Sequence, residues 1–201
     1  MKQPSYRDRL RDEVMVIAMR LVESEGLEAL QARRIAKEAD CSVGSLYNVF
    51  GDIDGLIAAV NGETLRRLGA ALTVALEACP GMGLRERLLE LALTYIRFAV
   101  ENQRAWKAIF EHRRPAGTNV PQTYVDEQMR LIGVIEGVIA ERAETAATRG
   151  RQARALFAAV HGIVSLALDD RLGGIARTEL EPQVRFMVDV IANGLPLAGK
   201  T

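Results

Sequence analysis

The sequence predicts an all-α protein, with an N-terminal three-helix domain of helix-turn-helix form followed by a larger helical domain. Three observations carry this prediction. Apolar residues recur at intervals of three and four along most of the chain, which is the spacing of one helix face. No segment shows the alternation of a half-buried strand. Residues 31–50, Gln-Ala-Arg-Arg-Ile-Ala-Lys-Glu-Ala-Asp-Cys-Ser-Val-Gly-Ser-Leu-Tyr-Asn-Val-Phe, read as two short helices either side of a tight turn.

The first helix is capped by Ser5, carries Leu10, Val14, Ile17, Leu21 and Val22 on its inner side, and stops at Gly26. In the second, Ile35 and Ala39 share a face, and the small Ala36 lets another helix approach. The chain must then turn at Asp40 and Cys41. Asp tolerates left-handed backbone better than most non-glycine residues. Ser42 is a good N-cap for the third helix. At about 100° per residue, Leu46, Val49 and Phe50 cluster inward, with Val43 at the edge of that group. Gly44, Tyr47 and Asn48 point outward, flanked by Ser45. This small, hydrogen-bonding face suits contact with base edges and phosphates in a DNA groove.

A fourth helix starts at Asp52 or Asp54 and carries Leu56, Val60, Leu65, Leu68, Leu72 and Leu76. Cys79-Pro80-Gly81-Met82-Gly83 is the clearest break in the chain. The expected organisation is therefore a helix-turn-helix domain over 1–51, a connecting helix over 52–79 and a helical domain over 80–201. Beyond the break, Leu84, Leu88, Leu91, Tyr95 and Phe98 form a stripe, followed by a short helix with Trp106, Ile109 and Phe110. Residues 113–119 read as a loop. A long helix is expected over 121–147, with Val125, Met129, Ile132, Ile135 (or Val134) and Ile139 inward and Gly150 as its punctuation. Residues 152–171 are apolar around most of their circumference, and a last helix from about Glu181 to Asn193 presents Val184, Met187, Val188 and Ile191. Helices this apolar must be covered on several sides. A second copy of the chain could cover them, packing closely at Ala155, Ala158, Ala159 and Gly162, with Leu166, Val184, Met187 and Ile191 beside them.

Residues 30–57 resemble the DNA-binding region of the TetR family of bacterial repressors. There a helix ending Ile-Ala-x-x-Ala precedes a turn, then Ser-x-Gly-x-Leu-Tyr-x-x-Phe, then a few polar residues before Leu-Leu. The matching positions are Ile35, Ala36 and Ala39, then Ser42, Gly44, Leu46, Tyr47 and Phe50, then Leu56 and Ile57. Departures are Gln31 for the usual Thr or Ser, Asp40 for Gly, Val43 for a frequent Lys or Arg, and Ile53 for a Lys that commonly meets a phosphate. Val43 could pack against a thymine methyl instead. The expected DNA-contacting set is Gln31, Arg33, Arg34, Ser42, Val43, Gly44, Ser45, Tyr47 and Asn48. Val160-His161-Gly162 and its surroundings are similar to the Trp-His-Gly subgroup of that family, with Val160 in place of the Trp.

The resemblance implies a ligand-responsive repressor that binds a palindromic double-stranded DNA operator as a homodimer. It also implies an unknown small-molecule effector held between the helices of the second domain, for which Tyr95, Phe98, Trp106, Phe110, Tyr124, Met129 and His161 are the expected lining. The last two helices would pair with their copies as a four-helix bundle.

Composition sets limits. The chain has 201 residues, with 26 basic and 26 acidic side chains, so no general attraction to nucleic acid is expected. Residues 1–60 hold eight basic and ten acidic side chains, a net of −2, which argues against non-specific DNA binding. A local basic face of Arg7, Arg9, Arg11, Arg33, Arg34 and Lys37 remains available. The rival reading, a helical small-molecule-binding or scaffold protein that has lost DNA binding, draws on that acidity and on Ile53. No constellation of nucleophile and base, or of paired acids, suggests an enzyme. Neither a metal site nor a cofactor is expected, because His112 and His161 lack Cys or acidic neighbours at ligand spacing. Two cysteines make no disulfide framework. No apolar run approaches the roughly 18 residues of a membrane span, and the charged N-terminus is unlike a signal peptide, so a cytoplasmic protein with no membrane partner is expected.

Overall fold

The structure, a computed structural model, describes residues 5–78, 80–113, 120–142, 145–169 and 176–194. These form α1 (Tyr6–Glu25), α2 (Ala32–Glu38), α3 (Val43–Phe50), α4 (Ile53–Glu77), α5 (Leu84–Glu101), α6 (Gln103–Glu111), α7 (Gln122–Val138), α8 (Ala146–Leu168) and α9 (Arg177–Gly194), with no strand among the described residues. Short 3₁₀ turns lie at Leu27–Ala29 and Ala140–Arg142. Cys79 and most of the loop expected at 113–119 lie outside the described residues.

Local chemistry sets the ends of the N-terminal helices. Ser5 and Asp8 form a capping box: the Asp8 N–H donates to Ser5 Oγ at 3.2 Å, and the Ser5 N–H donates to the Asp8 carboxylate at 3.0 Å. These bonds hold the Asp8 carboxyl below its usual range. Asp40 follows α2 in left-handed backbone, at φ 46°. The Cys41 N–H reaches back to the Ala36 carbonyl at 2.9 Å and the Asp40 N–H to that of Lys37 at 3.4 Å, the bonding pattern that closes a helix with a left-handed residue. Ser42 caps α3 by accepting the Ser45 N–H at 2.9 Å. Gly51, at φ 85°, ends it. Asp52 then caps α4, accepting the Gly55 N–H at 2.7 Å. A Cβ on Gly55 would fall 2.0 Å from the Phe50 carbonyl oxygen. Only glycine lets α4 start so close to the end of α3.

The chain divides into two units. The first comprises residues 1–66 and 102–127. Its core joins Leu10, Val14, Ala18, Leu21 and Val22 of α1, Ile35 of α2, Leu46 and Val49 of α3, and Leu56, Ile57 and Val60 of α4. Ala105 and Ala108 of α6 complete it. Asn61 of α4 is buried and donates through Nδ2 to the Ala108 carbonyl at 3.0 Å. Residues 102–127 were expected in the second domain; the apolar face of α6 instead packs on α1 and on the turn at Leu27–Ala29.

The second unit comprises residues 67–101 and 128–201. In it α5, α8 and α9 pack on one another around Leu88, Leu91 and Tyr95, Leu156 and Val164, and Leu180, Val184 and Val188. The helix expected over 121–147 ends at Val138. Thr145 caps the next helix, accepting the Thr148 N–H at 3.1 Å, so Gly150 lies inside α8 rather than ending a helix. A Cβ on Gly150 would come within 3.3 Å of Glu136 Oε1 and 3.0 Å of Arg154 Nη1, so this glycine permits close side-chain approach. Within α7 the buried positions are Leu131 and Val138, and Met129 is exposed. The last helix starts at Arg177, earlier than expected, and accommodates Pro182 in its second turn. Arg85 of α5 pairs with Asp189 of α9 at 2.7 Å.

Asp40→Gly should stabilise the protein by about 1 kcal/mol, because it relieves left-handed strain at the turn between α2 and α3. Urea unfolding of the two proteins tests this, and an unchanged or lowered midpoint contradicts it.

Candidate functional site

The first unit presents α3 as the sequence pattern requires. Leu46 is fully buried and Val49 nearly so, while Gly44, Tyr47 and Asn48 are exposed and Val43 is half-buried. Arg11 lies over the ring of Phe50, 5.1 Å from its centroid, and shields the inner edge of the helix. Ser45 differs from expectation. Its hydroxyl lies 2.9 Å from that of Ser42, so both hydroxyls belong to the helix cap before any contact with DNA.

The cations of α2 are not equally available. Arg33 is exposed and makes no ion pair among the described residues. Arg34 donates Nη1 and Nη2 to the two oxygens of Glu25 at 2.7 and 2.6 Å, and Nε lies 3.4 Å from Glu38. Arg20 also bonds to Glu38. The Arg34 fork holds the Glu25 carboxyl below its usual range and ties α2 to the end of α1. Arg34, expected on DNA, therefore faces an internal partner. Gln31 precedes α2, exposed, and makes no side-chain cap. Burial pushes the half-buried Cys41 thiol up, helped by Glu13 and Asp40, so it is not an activated thiol.

The second unit contains a cavity of about 480 Å³, counting the part open to solvent. Its wall is Leu72 of α4; Leu88, Leu91, Ala92 and Tyr95 of α5; Leu131 and Ile135 of α7; Leu156, Phe157 and Val160 of α8; and Val188 of α9. All these side chains are apolar except for the Tyr95 hydroxyl, which lies 2.9 Å from His161 Nδ1. Phe157 meets the Tyr95 ring edge-on at 5.9 Å and stacks on His161 at 5.5 Å. Burial pushes the His161 pKa below its ordinary value, against a smaller upward pull from Asp169.

Of the residues expected to line a pocket, Tyr95 is on this wall and His161 stands behind it. The others are not on it. Trp106 is 2% exposed and belongs to the first unit, where its ring packs at 5.3 Å against Phe110, itself 43% exposed. Tyr124 also lies in the first unit, near Gly62. Met129 is 50% exposed, and Phe98 is half-buried off the wall. The leucines and valines that do form the wall belong to ordinary helical stripes, and their spacing does not distinguish cavity from packed core.

The expected pairing surface is partly turned inward. Val184 has no exposed surface and packs within its own unit. Ala155, Ala158 and Leu166 are exposed, and Ala159, Gly162, Met187 and Ile191 are half-buried. On α9 the most exposed apolar side chains are Phe186 at 72% and Val190 at 56%. Neither belongs to the expected pairing surface. Their signal is a pair four residues apart lying off the stripe Leu180–Val184–Val188.

His112 is half-buried with Nε2 3.2 Å from Asp54. The described residues contain no cluster of three or more potential metal ligands. No single helix among them is long and apolar enough to cross a membrane.

A helix-turn-helix with its third helix turned outward, joined to a helical unit that holds an apolar cavity, defines a DNA-binding transcriptional regulator with a ligand-binding domain. Residues 15–60 match the family described as bacterial regulatory proteins, tetR family, and residues 88–191 match the tetracyclin repressor-like C-terminal domain. The chain belongs to the TetR family. A protein of unknown function from Rhodococcus sp. RHA1 shares the fold at 25% identity and TM-score 0.74, over 96% of this chain and 99% of that one. A TetR transcriptional regulator from the same organism does so at 16% identity and TM-score 0.69, over 94% and 97%. FadR from Bacillus subtilis, solved in complex with stearoyl-CoA, is 12% identical with TM-score 0.68, over 92% and 98%. No curated protein matches the sequence.

Glu25→Gln should release the Arg34 fork towards DNA phosphates. On one bound duplex, the slope of log affinity against log salt should steepen by about 0.9, the worth of one more phosphate contact; an identical slope contradicts the sequestration. His161 gives a pH test. Its pKa is lower folded than unfolded, so the unfolded chain takes up the proton first. Its contribution to stability is present above the ordinary value of 6.5 and is lost as the pH falls below it. Wild type should therefore lose stability relative to His161→Gln as acid is added, measured by thermal unfolding; parallel pH profiles would exclude this.

Proposed function

We propose that this TetR-family chain is a ligand-responsive repressor that binds a palindromic operator as a homodimer in the cytoplasm, and that it is not an enzyme. The observation that carries the switch is the path of α4. Gly55 near its start abuts the Phe50 carbonyl at the end of α3, and Leu72 near its other end stands on the cavity wall. A molecule that rearranges the wall would act on α4, and through α4 on α3. A coupling of about 1–3 kcal/mol, a 5- to 150-fold change in operator affinity, is enough for induction.

The apolar wall favours an effector with a substantial hydrocarbon part. The stearoyl-CoA complex of FadR, a fold neighbour, is in keeping with such a ligand. The Tyr95–His161 pair offers a polar feature beside the cavity. Val160-His161-Gly162 supports assignment to the Trp-His-Gly subgroup. Dimerisation is assigned to the outward faces of α8 and α9: Ala155, Ala158, Ala159, Gly162 and Leu166 with Phe186 and Val190. Apolar side chains as exposed as these are stabilised by a matching copy. Two copies would set two α3 helices about 34–36 Å apart on successive turns of duplex.

The experiment has two arms. Phe186→Asp should give a folded monomer by sedimentation with operator affinity largely lost; a dimer of unchanged affinity removes these faces from the interface. Ala92→Trp should fill the cavity and exclude an apolar fluorescent dye, leaving operator binding intact. A series of straight-chain acyl compounds that displace the dye should weaken the wild-type complex but not the filled variant. Compounds that enter the cavity and leave operator affinity unchanged would refute the switch.

A further inference from the structure

From Ser42 to Gly51 the chain carries no Lys, Arg, His, Asp or Glu. The side of α3 turned outward therefore reads DNA without a single formal charge. At about 100° per residue, Val43, Tyr47, Gly44 and Asn48 follow one another around an arc of about 140°, and the structure leaves all four at least partly exposed. The Ser45 hydroxyl is engaged with Ser42. Arg11 of α1 is engaged over the Phe50 ring, and on α2 the fork of Arg34 is held by Glu25.

This inventory favours one kind of base pair. In the major groove guanine shows two acceptors, O6 and N7, whose commonest partner is the fork of Arg or the ammonium of Lys. Neither occurs on α3. Adenine shows an acceptor at N7 and a donor at N6, and the Asn48 carboxamide offers the matching donor and acceptor together. Thymine alone adds an apolar group to the groove, its methyl, and Val43 is the branched apolar side chain at the leading edge of the helix. Gly44, between them on the arc, has no side chain to hold the backbone away from the bases. Asn48 stands five residues beyond Val43, about 7.5 Å along the helix axis, or about two base-pair steps.

We infer that α3 reads A·T pairs, with Asn48 on an adenine and Val43 on a thymine methyl about two steps away. This rests on the reading of the chain as a DNA-binding regulator and adds the bases it recognises.

The test is selection of bound duplexes from a randomised pool by the full chain, followed by single-base analogues. Enriched sequences should share half-sites with A·T pairs at their most constrained positions. Replacing each thymine in turn by deoxyuridine should reveal one position where loss of the methyl weakens wild type about fourfold, the worth of one buried methyl. Val43→Ala should bind both versions equally. Replacing each adenine in turn by its 7-deaza analogue should likewise reveal one site that costs wild type about tenfold and costs Asn48→Ala nothing further. The deoxyuridine and 7-deaza series are read on the unaltered protein, so they stand even if a variant folds poorly. Half-sites with invariant G·C pairs at those positions, or indifference of wild type to every analogue, would overturn the assignment while leaving DNA binding intact. A pool with no enriched sequence would overturn both.

Discussion

The burial of Leu46 and Val49 in a core shared with α1, α2 and α6 gives the outer side of α3 its direction. Burying a side chain of this kind contributes about 1.5–3 kcal/mol, far more than a short helix gains from its own hydrogen bonds. Fixing two inner positions on an eight-residue helix leaves its rotation little freedom, so Tyr47 and Asn48 must face away. The junction with α4 adds a second constraint. Gly55 lies so close to the Phe50 carbonyl that the end of one helix and the start of the next form a corner too tight for any side chain at that position. That corner joins the outward-facing helix α3 directly to α4, which carries Leu72 on the cavity wall.

Charge is used sparingly in both units. In the first unit Arg20 and Arg34 bond to acidic side chains of their own chain, and α3 is neutral. In the second, the cavity wall is apolar, and the Tyr95 hydroxyl is satisfied by His161. A protein with equal numbers of acidic and basic residues and this arrangement gains little from long-range attraction to DNA. Its selectivity then comes from shape and from short-range contacts, which depend on position far more steeply than charge does.

The reach of sequence reasoning differs between the two units. The helix-turn-helix was legible because its geometry is local. Ser42 as a cap, Asp40 in left-handed backbone and the inward trio Leu46, Val49 and Phe50 are each decided within a few residues. The pocket was not. Trp106 and Phe110 looked like pocket walls because they are aromatic and follow the stripe of α5 closely. A one-residue break at Asn102, however, sends α6 to the other unit. Gly150 looked like a terminator, since glycine often is one, but in α8 it makes room for Glu136. Phe186 lies off the regular stripe Leu180–Val184–Val188 on α9, which turns inward, so periodicity alone gives it no role.

Periodicity states which side of a helix avoids water. That is enough to determine, from the residues themselves, an all-helical chain, its N-terminal DNA-reading motif and the face that motif turns outward. Periodicity carries no information about which neighbour covers a side. The pairing of α6 with α1, the wall made by Leu72, Leu131 and Leu156, and the outward exposure of Phe186 and Val190 were decided by tertiary packing alone. There, residues far apart in the chain compete for the same apolar surface, and volume and shape choose among them.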